Sequence, residues 1–224
     1  MLHKTLLIVS DKFHDFATRK DVITISELYN LLSSNNVSIP YSKKILLIPG
    51  QGFSEKQIED ILRLSSTTKN IASFDFSLWR NIPKRASTQL THKQKKENIL
   101  VSEPKRQSES IFNMNVLIDE NCEMMRDHQT GLHIQGMLLV EAARQAYLAT
   151  MEKFYIENST EKNYFIFNKL NVGYNKFSFP LPSSIRLTNQ KVDFSNAKRQ
   201  HTITQIELIQ CNEVSATVFM DVTI

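Results

Sequence analysis

Residues Asp127 to Ala149 read DHQTGLHIQGMLLVEAARQAYLA, a polar loop with two histidines that runs through one glycine into an alanine-rich helix. Met137, Leu138, Leu139, Val140, Ala142, Ala143, Ala146, Tyr147, Leu148 and Ala149 leave that helix almost no wet face. A helix apolar all round lies inside a core rather than on its surface. Glu141, Arg144 and Gln145 are the polar exceptions. A buried carboxylate costs several kcal/mol, on the order of the price of any unpaired buried ion, unless it is paired or hydrogen-bonded, so Glu141 is a candidate for chemistry.

The elements on either side of this helix decide how it is covered. Before it, Phe112, Met114, Val116 and Ile118 alternate with Ile111, Asn113, Asn115, Leu117 and Asp119, the period of a strand. After it come strands only. Tyr164–Phe179 is rich in aromatic and β-branched residues, with Asn168-Lys169 breaking the alternation as a bulge would. Ser184–Phe194 and His201–Cys211 follow, then a short connection at Cys211-Asn212-Glu213 and a last strand with Val214, Ala216, Val218, Met220, Val222 and Ile224 on one face. One strand, one long buried helix and four further strands predict an α+β unit whose antiparallel sheet curls around the helix, because one flat face would leave its other side wet. That arrangement is the hotdog fold, expected over residues 108–224.

The first part of the chain reads differently. Apolar runs at Thr5–Val9, Val22–Ile25, Lys44–Pro49 and Asn70–Phe76 predict short strands of a small α/β domain over residues 1–82. Ser54 and Gln57 make a capping box at the start of a helix with Ile58, Ile61, Leu62 and Leu64 as its stripe. Pro49-Gly50-Gln51-Gly52 invites a phosphate-loop reading, but its spacing fits neither standard fingerprint.

The net charge of +4 has a local origin. Residues 83–107 hold seven basic residues (Lys84, Arg85, Lys93, Lys95, Lys96, Lys105, Arg106) against Glu97 and Glu103, an excess of five. The segment reads as a solvated basic linker, cleavable between Pro83 and Gln89 into two protected pieces. Without interleaved aromatics or a binding motif, nucleic acid is not an expected partner. With 224 residues and 41% hydrophobic residues the chain has enough material for a real core. No apolar run approaches the roughly 18 residues of a membrane span. The start MLHKTLLIVSDKF lacks a cleavage site and reads as a first strand in a cytoplasmic protein. Cys122 and Cys211 are too few for a disulfide framework or a zinc cluster. Asp127, His128, His133 and Glu141 show no standard ligand spacing, so neither metal nor other cofactor is expected.

Two motifs carry a resemblance. His92-Lys93 ahead of Glu97-Asn98-Ile99-Leu100, and Asp127-His128 leading to Gly136-Met137 and Glu141-Ala142-Ala143-Arg144-Gln145, resemble the A-factor biosynthesis hotdog family, known from the AfsA proteins that make γ-butyrolactone signals. The resemblance covers roughly residues 90–224. This chain departs from that family in having Gln135 where proline is common, and in carrying one repeat where the known synthases carry two. More distantly, the loop and helix resemble hotdog hydroxyacyl-thioester dehydratases.

The resemblance implies an acyltransferase that joins a β-ketoacyl group, delivered by an acyl carrier protein or coenzyme A, to the hydroxyl of dihydroxyacetone phosphate. Glu141, Arg144 and His128 would be its catalytic residues, and Gly136, Met137, Gln145 and His133 would contact substrate. Gly136 permits close approach of a ligand, and the free N–H groups of the first turn form an oxyanion hole. Desolvation should raise the Glu141 carboxyl while Arg144 opposes the shift, giving a base near neutral pH and an anchor for a phosphate. The acyl chain would lie among side chains such as Phe165 and Phe167. A lone repeat would pair with a second copy as a homodimer. The rival readings are a dehydratase or thioesterase on the same thioesters, and a non-catalytic acyl-binding scaffold.

Overall fold

The computed structural model describes residues 4–33, 44–67, 73–129, 131–156, 163–195 and 200–224. They form two compact units. The first takes Met1–Pro83, Leu117–Ile134 and Phe179–Pro182; the second takes Lys84–Val116, Gln135–Ser178 and Ser183–Ile224. The chain therefore crosses between units several times, where its sequence suggests a single passage. No helix among the described residues is long and apolar enough to cross a membrane.

In the first unit the elements are β1 (Lys4–Val9), α1 (His14–Ala17), β2 (Val22–Thr24), α2 (Ile25–Ser33), β3 (Ile45–Pro49), α3 (Glu55–Thr67), β4 (Phe74–Asp75) and α4 (Ser77–Arg80). The strands are parallel in the order β2-β1-β3-β4. Asn70, the first residue of the expected fourth strand, lies outside the described residues. The capping box forms as its residues dictate, with Gln57 N–H donating to Ser54 Oγ at 3.2 Å and Ser54 N–H donating to Gln57 Oε1 at 2.8 Å. Ile8, Leu28, Leu47, Ile61 and Trp79 make the core over which α2 and α3 close. The phosphate-loop reading fails here. The N–H groups of Gly50, Gln51 and Gly52 donate to the carbonyls of Ile8, Pro180 and Ile118, so the turn has spent its donors on its own chain. Gly52 holds φ at 102°, and a Cβ there would stand 2.1 Å from Ser10 Oγ, which is why glycine occupies the position.

The second unit contains α5 (Thr88–Thr91), β5 (Lys105–Arg106), β6 (Ile111–Asn115), α7 (Gly136–Phe154), β7 (Ile166–Tyr174), β8 (Ser183–Asp193), β9 (His201–Gln210) and β10 (Glu213–Thr223); α6 (Glu123–Arg126) belongs to the first. The sheet is antiparallel throughout, in the order β5-β6-β8-β9-β10-β7. Its inner face packs on α7 through β8, β9 and β10. This is the hotdog fold. Ala216, Val218, Met220 and Val222 of β10 are buried as their alternation requires. Asp221 pairs with Lys169 and Val222 with Phe167, so Asn168 is the extra residue of a bulge. Cys211 and Asn212, both at positive φ, make the two-residue turn between β9 and β10.

Ala142, Ala143, Ala146 and Ala149 are fully buried, and these small side chains let the strands come close to α7. Met137 breaks the expected all-round burial. It lies in the first turn and is 57% exposed.

The basic stretch, read in the sequence as a linker, is built into the second unit. Ala86 N–H donates to Val101 O at 2.9 Å, Arg85 bridges Ser102, Ser87 caps α5, and His92 ends it in the left-handed conformation. Ala86 at one end of the charged run and Ile99, Leu100 and Val101 at the other are buried and hold the backbone down. One consequence is testable by proteolysis. Trypsin nicking between Pro83 and Gln89 should leave fragments that co-elute in native gel filtration, since residues 117–134 and 179–182 lie beyond the nick yet complete the first unit. Separate elution would show that residues 1–83 stand alone.

Candidate active site

The polar exceptions of α7 meet the basic segment. Glu141 sits with Arg144 and Gln145 at the i+3 and i+4 spacing that shares a helix face. Its Oε2 accepts from Arg144 Nε at 2.7 Å; its Oε1 accepts from Arg144 Nη2 at 2.9 Å, Gln145 Nε2 at 2.9 Å and Lys93 Nζ at 2.7 Å. The carboxylate is 16% exposed. Burial alone would raise its pKa, but the hydrogen bonds from Arg144, Lys93 and Gln145, with the charge of Arg144, outweigh that and hold it down at about 2. The expectation of a raised carboxyl is thus reversed, because Lys93 supplies a second cation. Two cations against one carboxylate leave the cluster with excess positive charge.

Gln145 is fully buried and its amide is committed to the chain. Its Oε1 accepts from Leu100 N–H at 2.8 Å and its Nε2 donates to Asn98 O at 2.9 Å, which ties the 98–100 segment to the helix. About three turns beyond Glu141 on the same face, Glu152 pairs with His92 at 2.7 Å. The sequence motifs His92-Lys93, Asn98-Ile99-Leu100 and Glu141-to-Gln145 are therefore parts of one interaction. His92-Lys93 stands out in the sequence as a motif, but neither Lys93 nor the His92–Glu152 pair is among the expected site residues. The signal was present in the recurrence of carboxylates along one face of α7 opposite a basic run, but nothing in the sequence says which lysine reaches which carboxylate.

At the start of α7, the close approach that Gly136 permits is used by Tyr174. A Cβ on Gly136 would stand 3.0 Å from the phenol ring, which burial drives toward a higher pKa. Gln135 precedes the first turn with its Oε1 buried and without a partner among the described residues. Deeper in the unit, Tyr147 hydroxyl and Thr202 Oγ1 are 2.6 Å apart, and burial raises the Tyr147 phenol strongly. Phe165 and Phe167 set their edges against the Tyr147 ring, and Phe165 also meets His92.

The two histidines of the loop belong to the first unit. Their rings stand 5.6 Å apart and perpendicular, and His128 Nε2 is buried without a hydrogen-bond partner among the described residues. A buried orphan nitrogen asks for a reason, and a role toward a bound molecule is one. Among the described residues no group of three or more His, Cys, Asp and Glu side chains stands together as a metal site.

Comparison with known families matches residues 75–224 to the A-factor biosynthesis hotdog domain. Comparison with curated proteins returned no match. Among solved structures, a thioesterase from Pseudomonas aeruginosa is 14% identical, covering 55% of this chain and 79% of its own, with a TM-score of 0.39. An uncharacterised protein from Pyrococcus horikoshii is 18% identical over 62% of this chain and 92% of its own, also with a TM-score of 0.39. A conserved protein from Pseudomonas aeruginosa is 9% identical over 54% and 86%, with a TM-score of 0.39.

Proposed function

Because the chain belongs to the A-factor biosynthesis hotdog family over residues 75–224, we propose that it is an acyltransferase joining a β-ketoacyl thioester to a hydroxylated three-carbon phosphate, dihydroxyacetone phosphate, on the way to a butenolide-type signal or secondary metabolite. The observation that supports this reading best is the Lys93–Glu141–Arg144 cluster. One carboxylate fixes two cations in a partly buried place and leaves positive charge over for an anion. A phosphorylated acceptor supplies that anion, and the planar fork of arginine suits it.

In this reading the acceptor's hydroxyl oxygen attacks the thioester carbonyl. A C–O bond forms, the C–S bond breaks, and the thiol of the acyl carrier protein or of coenzyme A leaves with the proton given up by the hydroxyl. A carboxyl held at about 2 accepts that proton poorly at neutral pH. The family resemblance offers His128 as the other catalytic residue, and we assign the transfer to it. Glu141 fixes the cations, Arg144 and Lys93 hold the phosphate, and the first-turn amides of Gly136 and Met137 face the developing oxyanion. His133 stands as a substrate contact beside His128.

A homodimer is part of the proposal. β7 is a nine-residue edge of the sheet, and Ile166, Leu170 and Tyr174 on it are 62%, 40% and 51% exposed. An apolar edge of that length invites pairing with a second copy. Light scattering at micromolar concentration should give about twice the 25.9 kDa of the chain. A fully active monomer would remove this part.

Two rivals remain distinct in outcome. Incubation with 3-ketoacyl and 3-hydroxyacyl thioesters should give turnover of the keto substrate alone. Loss of water from the hydroxyacyl substrate would indicate a dehydratase. The cluster's ties between residues 92–100 and α7 would serve a non-catalytic acyl-binding scaffold equally well, and tight binding without turnover would favour it.

A further inference from the structure

The first unit has no part in the chemistry described so far beyond carrying the histidine loop, and the way it carries that loop is specific. Gly131 lies between His128 and His133 and is itself buried. Its N–H donates to Asp15 Oδ2 at 3.1 Å, and its carbonyl accepts from Phe16 N–H at 3.2 Å. The loop is thus gripped on both sides of one residue. A Cβ at Gly131 would stand 2.8 Å from Lys12 O and 3.2 Å from both Asp15 Oδ2 and His14 Cε1, so only glycine lets the two segments meet this closely. Just ahead of the loop, Lys12 Nζ donates to Arg126 O at 3.4 Å. The gripping element is anchored in turn: Phe16 is buried, its ring stacks on Phe179 at 5.5 Å, and Arg19 lies over both rings.

We infer that Asp15 is a positioning residue for His128 and His133, and that the first unit serves as the scaffold of the histidine loop. This rests on the reading of His128 as the proton acceptor, but its geometric part can be judged separately. The carboxylate of Asp15 and the amide of Phe16 fix Gly131, and with it the chain that sets the two imidazole rings edge to face. α1 is then necessary to the histidine loop although none of its side chains acts on substrate.

The test uses the full chain with Asp15→Ala, Asp15→Asn and Gly131→Ala, and Lys20→Ala as an exposed control in the same unit. Amide hydrogen exchange at residues 127–134 and the nuclear Overhauser contact between the His128 and His133 rings report the loop; kcat and KM report the reaction. In Asp15→Ala and Gly131→Ala, exchange at residue 131 should rise on the order of tenfold or more as the local bond opens. The ring contact should weaken, and kcat should fall while KM for the acyl donor stays within about twofold. Asp15→Asn keeps an acceptor oxygen and should restore exchange, ring contact and kcat to near wild type, as Lys20→Ala should throughout. Unchanged exchange and ring contact in Asp15→Ala and Gly131→Ala would overturn the inference. So would a lost ring contact with unchanged kcat. A wild-type protein without turnover would fail the proposed reaction alone, and the exchange and ring measurements would still decide whether Asp15 holds the loop.

Discussion

His128→Gln lowers kcat about 10²–10⁴-fold, the usual cost of removing a positioned base, while KM for the acyl thioester stays within a few fold. The expectation follows from two observations. Glu141, the residue that sequence reasoning favours as base, is held at about 2 by its cationic neighbours, so its proton affinity is far from that of a base working near neutrality. His128 Nε2 is buried and has no hydrogen-bond partner among the described residues. The pH profile separates the alternatives. A base at Glu141 would put the acid limb of kcat/KM near pH 2, so an acid limb well above that value excludes it. Normal turnover in His128→Gln, or an acid limb confined to very low pH in the wild type, would return the role to Glu141.

Glu141→Gln is expected to cost about 2–3 kcal/mol of stability at neutral pH, because Lys93 and Arg144 lose the charge that balances them in a partly buried place. The sign with pH is fixed by the direction of the shift. The folded carboxyl lies below its ordinary value of 4.5, so its contribution is fully present above about pH 4.5 and is lost as pH falls through about 2. Urea midpoints of wild type and Glu141→Gln should therefore differ at pH 7 and converge on acidification. Removing one cation as well should recover part of the loss. In a double-mutant cycle, Lys93→Met with Glu141→Gln is expected to show a coupling of about 1–2 kcal/mol. Equal midpoints at pH 7, or additive effects, would mean that the cluster is solvated and of little consequence. The same cluster makes a kinetic demand. Arg144→Lys keeps the charge and loses the fork, so KM for the phosphorylated acceptor should rise more than KM for the acyl donor. An equal rise in both would make Arg144 a support of the helix instead.

The hotdog core was legible because its signals are periodic. Alternation along β6 and β10, the apolar run of α7 and the break at Asn168-Lys169 each follow from local geometry, and each appears where the pattern put it. The capping box at Ser54 is local in the same sense. The active-site motifs were visible as motifs, but their meaning is tertiary. That Lys93 belongs to Glu141, and that Gln145 spends its amide on Asn98 and Leu100, depends on a fold that brings residues about fifty positions apart together. This is also why the pKa expectation had the wrong sign, since the sequence shows one arginine near Glu141 and hides the lysine. The basic stretch misleads for a related reason. Charge density suggests solvent, yet every buried residue between Ala86 and Val101 adds a backbone tether that composition does not display. The grip of Asp15 and Phe16 on Gly131 joins segments more than a hundred residues apart and leaves no trace in local pattern.

The central claim is transfer of an acyl group to a phosphorylated acceptor. Mass spectrometry of the purified protein incubated with a β-ketoacyl thioester, with and without dihydroxyacetone phosphate, tests it most directly. Free thiol and a phosphorylated acyl ester should form in equal amounts, both dependent on the acceptor and both lost in His128→Gln. Thiol release at the same rate without acceptor, with free acid as the product, would contradict it.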